Sequence, residues 1–206
     1  MKGNLTAEEI WKVEEGEIRR PGVPHYVIAA LLMGTGAAIG ITGISGSVGF
    51  GVTFFWPAIA IQIVGGIWFG LWGGLIAGGL FPIISNMISG GTPPLISILW
   101  IPANIVQGML TGIVFRKLRL DPRLTRPIDY VAFILVGGIL SNIPGALYGP
   151  WIGRLFGLFT DKSYFIAVLA WFLGNSSCAI IFGIILLRAL SPIVVKTKFF
   201  CKGLLA

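Results

Sequence analysis

Charge is what this sequence has least of. Only 11% of its 206 residues are Asp, Glu, Lys or Arg, against about a quarter in an ordinary soluble domain. Between Pro21 and Phe115 there is none, and Tyr130 to Gly153 and Ser163 to Leu187 are equally bare. So little charge cannot clothe a water-facing surface. Histidine is nearly missing too: the single residue, His25, is expected at the cytoplasmic start of the first apolar stretch. The two cysteines, Cys178 and Cys201, form neither a disulfide framework nor a metal motif. No His/Cys/Asp/Glu cluster offers metal ligands, and no nucleophile stands beside a base. Without a carboxylate deep in an apolar segment, a carboxylate proton relay is not expected. The glycines fall in helices rather than in a phosphate loop. Neither an enzyme nor a metal or other cofactor is expected. A signal peptide is not visible, because the first 20 residues are acidic and polar.

What is there is hydrocarbon. Apolar residues make up 55% of the chain and the mean hydropathy is +0.90. A spanning helix needs roughly 20 residues. The charge-free stretches hold six, placed at about 25–43, 53–68, 70–88, 95–115, 129–148 and 164–188. The basic residues set the orientation. They cluster at Lys2, Lys12, Arg19 and Arg20, at Arg116 to Arg126, and at Arg188 to Lys202, leaving only Arg154 and Lys162 elsewhere. The positive-inside rule puts all three clusters in the cytoplasm. The count between the first two must then be even, so 53–88 holds two spans, with a turn at Gly65-Gly66 or near Gly70. The expected fold is an all-α polytopic bundle of six transmembrane helices in the cell membrane, both ends inside. The net charge of +7 reads as topology and a match to anionic lipid, not as a nucleic-acid footprint.

Three parts are expected. Residues 1–20 form a short cytoplasmic or interfacial helix, started by a Thr6-x-x-Glu9 capping box with Leu5 and Ile10 as its staple, and stopped at Gly16. Residues 21–192 form the transmembrane domain, and 193–206 a basic tail. Inside the domain Trp100, Asn104, Gly112 and Lys117 recur at the same spacings as Trp171, Asn175, Gly183 and Arg188. Ser85-Asn86 and Ser141-Asn142 precede them, and Pro57-Ala58 with Gln62 is echoed by Pro102-Ala103 with Gln107. This reads as a helical hairpin duplicated in parallel, as in several transporter folds. Chance recurrence among Gly, Trp and Asn is the other reading.

The amides Gln62, Asn86, Asn104, Gln107, Asn142 and Asn175 lie within these spans. An unpaired amide in hydrocarbon is costly, so they face the interior, either as interhelical bonds or as a binding site opening outward. Trp56, Trp100 and Trp171 could offer stacking faces to a planar ligand, or could simply pack, or (Trp56, with Trp151) belong to an interfacial belt. Small residues recur every four positions at Gly66, Gly70, Gly74 and Gly78 and at Ala30, Gly34 and Ala38, faces suited to close helix packing. The first set suits packing within the bundle. The second could dock a partner.

The run Phe69-Gly70-Leu71-Trp72-Gly73-Gly74-Leu75-Ile76-Ala77-Gly78-Gly79 resembles the third helix of substrate-binding (S) subunits of energy-coupling-factor transporters. The resemblance implies a vitamin-like ligand held near the outer side, beneath a loop at about Thr42 to Val52. It also implies that Ala30, Gly34 and Ala38 contact a transmembrane coupling subunit that works with ATPase subunits. Gly34 departs from that family's alanine motif. Phe55-Trp56-Pro57-Ala58 and Ala103-Asn104-Ile105-Val106-Gln107 are similar to integral membrane sensor domains of histidine kinases, although the chain reaches Ala206 without an output domain. The expected function is capture of a small neutral or weakly polar molecule among Trp56, Gln62, Asn86, Trp100, Asn104, Gln107, Asn142, Trp171 and Asn175. The alternative is a membrane sensor or structural module acting through a signalling partner. A channel is a weaker option, since no ring of charges lines a pore.

Overall fold

The computed structural model describes residues 5–13, 53–89 and 92–203, with 22, 23, 27, 30, 31, 34, 35, 38, 46 and 47. Much of the expected first span, His25, Gly16 and most of the loop from Thr42 to Val52 lie outside the described residues. A short helix α1 (Ala7–Trp11) opens the described chain. Four longer helices follow: α2 (Ala58–Met87), α3 (Pro94–Lys117), α4 (Pro127–Leu155) and α5 (Asp161–Val194). Among the described residues these four are long and apolar enough to cross a membrane. Among the described residues the regular structure is helical apart from a small antiparallel ribbon, β1 (Gly46–Ser47) against β2 (Thr53–Phe55).

The pattern within α5 shows why a bilayer suits these helices. Phe165, Leu169, Leu173, Ile181 and Ile185 are exposed, while Ala167, Gly174, Asn175, Ser176, Cys178 and Gly183 are buried. The bulky apolar side chains point outward, and the small and polar ones inward. That arrangement is unfavourable in water. It is favourable in lipid, where close backbone approach and interhelical hydrogen bonds hold helices together.

The first long helix is not straight. Gly70 sits at φ 69°, ψ −155°, inside α2. A Cβ built on Gly65 would lie 3.4 Å from the Cβ of Ala77. A straight helix would separate those two positions by about 18 Å. The chain therefore doubles back at Gly70, a conformation open essentially to glycine alone. Both arms pack on α3. Gln62 and Gly66 of the first arm meet Asn104 and Gly108, so that arm runs parallel to α3. Gly74 and Gly78 of the second meet Gly108 and Asn104, so that arm runs antiparallel. The four-residue glycine repeat is thus spent on the α2–α3 contact and on the turn. The expected spans at 53–68 and 70–88 are thus two packed arms of one interrupted helix, the first starting only at Ala58 because Thr53–Phe55 pair as a strand.

Local signals set the other ends. Thr6 and Glu9 form the expected reciprocal cap, Thr6 N–H donating to Glu9 Oε2 at 2.6 Å and Glu9 N–H to Thr6 Oγ1 at 3.3 Å. Leu5 and Ile10 join the same apolar cluster. The helix ends at Trp11 with Lys12 extended, earlier than Gly16. Helix α3 closes with Leu120 N–H on Phe115 O and Arg119 N–H on Arg116 O, Arg119 taking a positive φ of 48°. Gly157, at φ 75°, closes α4 by the same pair of bonds, from Leu158 to Gly153 and from itself to Arg154. The largest buried cluster gathers Trp11, Phe115, Leu120, Leu124 and Phe200 at the end of the bundle that carries the basic residues.

Candidate functional site

Contacts between helices fix the depth of each candidate residue. A Cβ on Gly149 would meet the Trp171 ring, one on Gly138 would meet Ile180, and one on Gly183 would meet Phe133, so α4 and α5 are antiparallel. Trp100 Nε1 donates to Gly149 O at 3.0 Å. Trp100 and Trp171 then meet edge to face, with centroids 4.9 Å apart and planes at 89°. Asn104 and Asn175 each follow their tryptophan by four residues, about 6 Å further along. The two recurring Trp–Asn pairs therefore lie at matching depth.

Beneath the tryptophans lies a layer of amides. Gln62 Nε2 donates to Asn104 O at 2.8 Å. Gln107 Nε2 donates to Asn142 Oδ1 at 2.5 Å, and Asn142 Nδ2 to Gly138 O at 2.8 Å and Gly137 O at 3.3 Å. Those carbonyls belong to a π-helical stretch, Phe133–Leu140, whose wider turns free main-chain oxygens from the regular ladder. Asn104 and Asn175 are buried on the same inward faces. Four buried oxygens have no hydrogen-bond partner among the described residues: Gln62 Oε1, Gln107 Oε1, Thr111 Oγ1 and Ser176 Oγ.

Two expected residues stand apart. Asn86 donates to Ser97 Oγ at 3.1 Å, joining the end of α2 to the start of α3. Trp56 packs on Ala58 and against the main apolar cluster. Ala30, Gly34 and Ala38 are exposed and helical, and a Cβ on Gly34 would meet no atom within 4 Å.

Thr111, Ser176 and Arg116 were not singled out as site residues by sequence reasoning. A hydroxyl within an apolar helix gives no signal until its neighbours are known. In sequence Arg116 stands among the loop charges, yet it is 8% exposed. Its Nε donates to Gly203 O, Nη1 to Gly66 O and Gly112 O, and Nη2 to Ile67 O and Cys201 O, at 2.7–3.0 Å. The Trp11 ring lies 4.9 Å from its Cζ. One guanidinium thus ties the fold-back of α2, the end of α3, the tail and α1. Around it, Phe200 meets Trp11 at a 43° tilt with ring centroids 5.0 Å apart, Trp11 Nε1 donates to Leu120 O, and Cys201 N–H donates to Trp68 O.

The loop between α3 and α4 is clasped by paired charges. Asp121 accepts from Arg123 and from Thr125 Oγ1, while Asp129 accepts from Arg126 and from the Asp121 N–H. Burial alone would raise the Asp121 pKa, but the hydrogen bonds from Arg123 and Thr125 outweigh it and hold the carboxyl below its ordinary value. A cleft of about 800 Å³ opens here, yet Arg123 and Arg126 on its wall are paired to aspartates and Arg188 donates to main-chain carbonyls. A second groove, about 540 Å³, is largely apolar and runs between α3 and α4, past Val106, Leu147 and Trp151. Among the described residues no three His, Cys, Asp or Glu side chains gather as a metal site.

No protein-family model, curated protein or solved structure matches the chain.

Proposed function

We propose that the chain is the membrane-embedded solute-binding subunit of a transporter, taking a small neutral molecule from the outer side. One observation carries this reading: buried amides of α2, α3 and α4 are joined by hydrogen bonds beneath the Trp100–Trp171 pair, with Asn175 of α5 buried one turn below Trp171 and no ionised side chain among the described residues at that level. A mostly apolar site with a few converging polar groups is the usual build of a small-molecule pocket. Six spans with both ends inside fit the doubled-back α2, and energy would come from partner subunits. The exposed Ala30, Gly34 and Ala38 face suits such a partner. It would equally suit a signalling partner, which keeps the sensor reading as the alternative.

The test is purification from native membranes, followed by identification of whatever small molecule is released. Asn104→Ala or Asn175→Ala should then weaken binding of that molecule about ten- to hundredfold, the cost of leaving its polar group buried and unpaired. If both variants bind it as tightly as the parent, the asparagines only hold helices together. Release of nothing, with a signalling protein co-purified, favours the sensor.

A further inference from the structure

Two amides in the layer have orientations fixed by partners that can only accept. Gln62 turns its nitrogen to the main-chain oxygen of Asn104, so Oε1 must face the other way. For Gln107 the argument passes through Asn142. Asn142 Nδ2 is held by two carbonyls, Gly137 and Gly138, so Oδ1 is the atom turned toward Gln107. Gln107 must answer with Nε2, which leaves its own Oε1 over. Both leftover atoms are acceptors. Both belong to side chains at most 1% exposed, and neither has a hydrogen-bond partner among the described residues. Thr111, four residues past Gln107 on the same buried face of α3, adds a hydroxyl that is also unpartnered. A buried carbonyl oxygen left without a donor is costly, and more so away from water.

On the reading that this layer binds a small molecule, we propose that the ligand is neutral and carries at least two N–H or O–H donors, directed to Gln62 Oε1 and Gln107 Oε1 and reaching Thr111 Oγ1. The charge follows from the same atoms. Carbonyl dipoles turn negative ends inward and would repel an anion. The nearest buried cation along α3, Arg116, has its N–H groups committed to main-chain carbonyls. A cationic ligand would find only these three oxygens and no buried carboxylate there, against the five carbonyls that hold Arg116.

The experiment uses the full chain, purified in mild detergent and then denatured, with the released small molecule identified by mass spectrometry. The expected compound is neutral with two or more N–H or O–H groups. Rebound to protein stripped of it, the analogue with those groups replaced by C–H should bind at least tenfold more weakly. Thr111→Val keeps the side-chain shape and removes an unpartnered hydroxyl. It should leave the ligand-free protein at least as heat-stable as the parent while lowering affinity for the released compound. A compound that is charged or lacks donors, an analogue that binds equally well, or unchanged affinity in Thr111→Val would overturn the donor assignment and leave the binding reading standing. Release of no small molecule from folded protein would overturn both.

Discussion

Arg116 is held by carbonyl dipoles rather than by an acid, so its geometry matters as much as its charge. A lysine at this position keeps the charge but has three donors and no planar fork. Arg116→Lys should cost about 3–6 kcal/mol, two or more lost bonds to a charged group, read as a fall in the thermal unfolding midpoint in detergent. An unchanged midpoint would show that the five contacts are incidental. The Asp121 clasp makes a different prediction. Its carboxyl is held below the ordinary value of 3.8 by Arg123 and Thr125 against the opposing effect of burial. A depressed folded-state pKa means that the stabilisation is complete above about that value and is lost as pH falls through the folded pKa. The parent should therefore lose stability on acidification below about pH 4, and Asp121→Asn should lack that part of the acid limb. Parallel acid profiles would remove Asp121 from the account. Neither residue was legible as more than a cytoplasmic charge. A sequence marks where charge is permitted, whereas these roles depend on carbonyls and arginines brought in by other segments.

At the scale of the element, the doubling-back of α2 depends on one residue. Gly70 holds a conformation that L residues rarely adopt, and the arms it joins meet at Gly65, Gly73 and Ala77. Gly70→Ala should destabilise by about 1–3 kcal/mol through backbone strain, measured as reduced heat stability. Wild-type stability would mean that the chain does not turn there. The sequence narrowed the turn to Gly65-Gly66 or Gly70, because charge parity demanded an even number of passes and glycine was the available breaker. It could not choose between them. Gly65 and Gly66 are helical and spent on close approach to Ala77 and to α3, a use that sequence spacing does not distinguish from a turn. The amide layer was legible for a related reason: Asn and Gln in apolar helices must face inward, so their helices were predictable from composition. Their partners were not, since Asn86 meets Ser97 on the next helix segment while Gln107 meets Asn142.

For the whole molecule, the fold-back bears on orientation. The antiparallel α3, α4 and α5 put the Arg116 end of α3 and the Arg188 end of α5 on one side and the loop joining α4 to α5 opposite, and two passes of α2 would bring the N-terminal basic cluster to that same side. The contacts agree within the bundle: Arg188 donates to Arg123 O and Leu124 O, while Arg154 pairs with Asp161 at 2.6 Å at the other end of α4. Assigning the first end to the cytoplasm rests on the positive-inside rule. A labelling experiment decides it. Cys178 and Cys201 are both buried and can be replaced by alanine. Single cysteines are then placed at the exposed Lys162, in the first turn of α5, and at the exposed Lys117, where α3 ends. Asp121 is a poor reporter because its side chain is buried in the clasp. A membrane-impermeant maleimide added to intact cells should modify Lys162→Cys and spare Lys117→Cys, with the reverse in inside-out vesicles. Modification of both from one side would leave α4 failing to cross, and the mirror-image result would turn the Trp100–Trp171 side of the amide layer toward the cytoplasm.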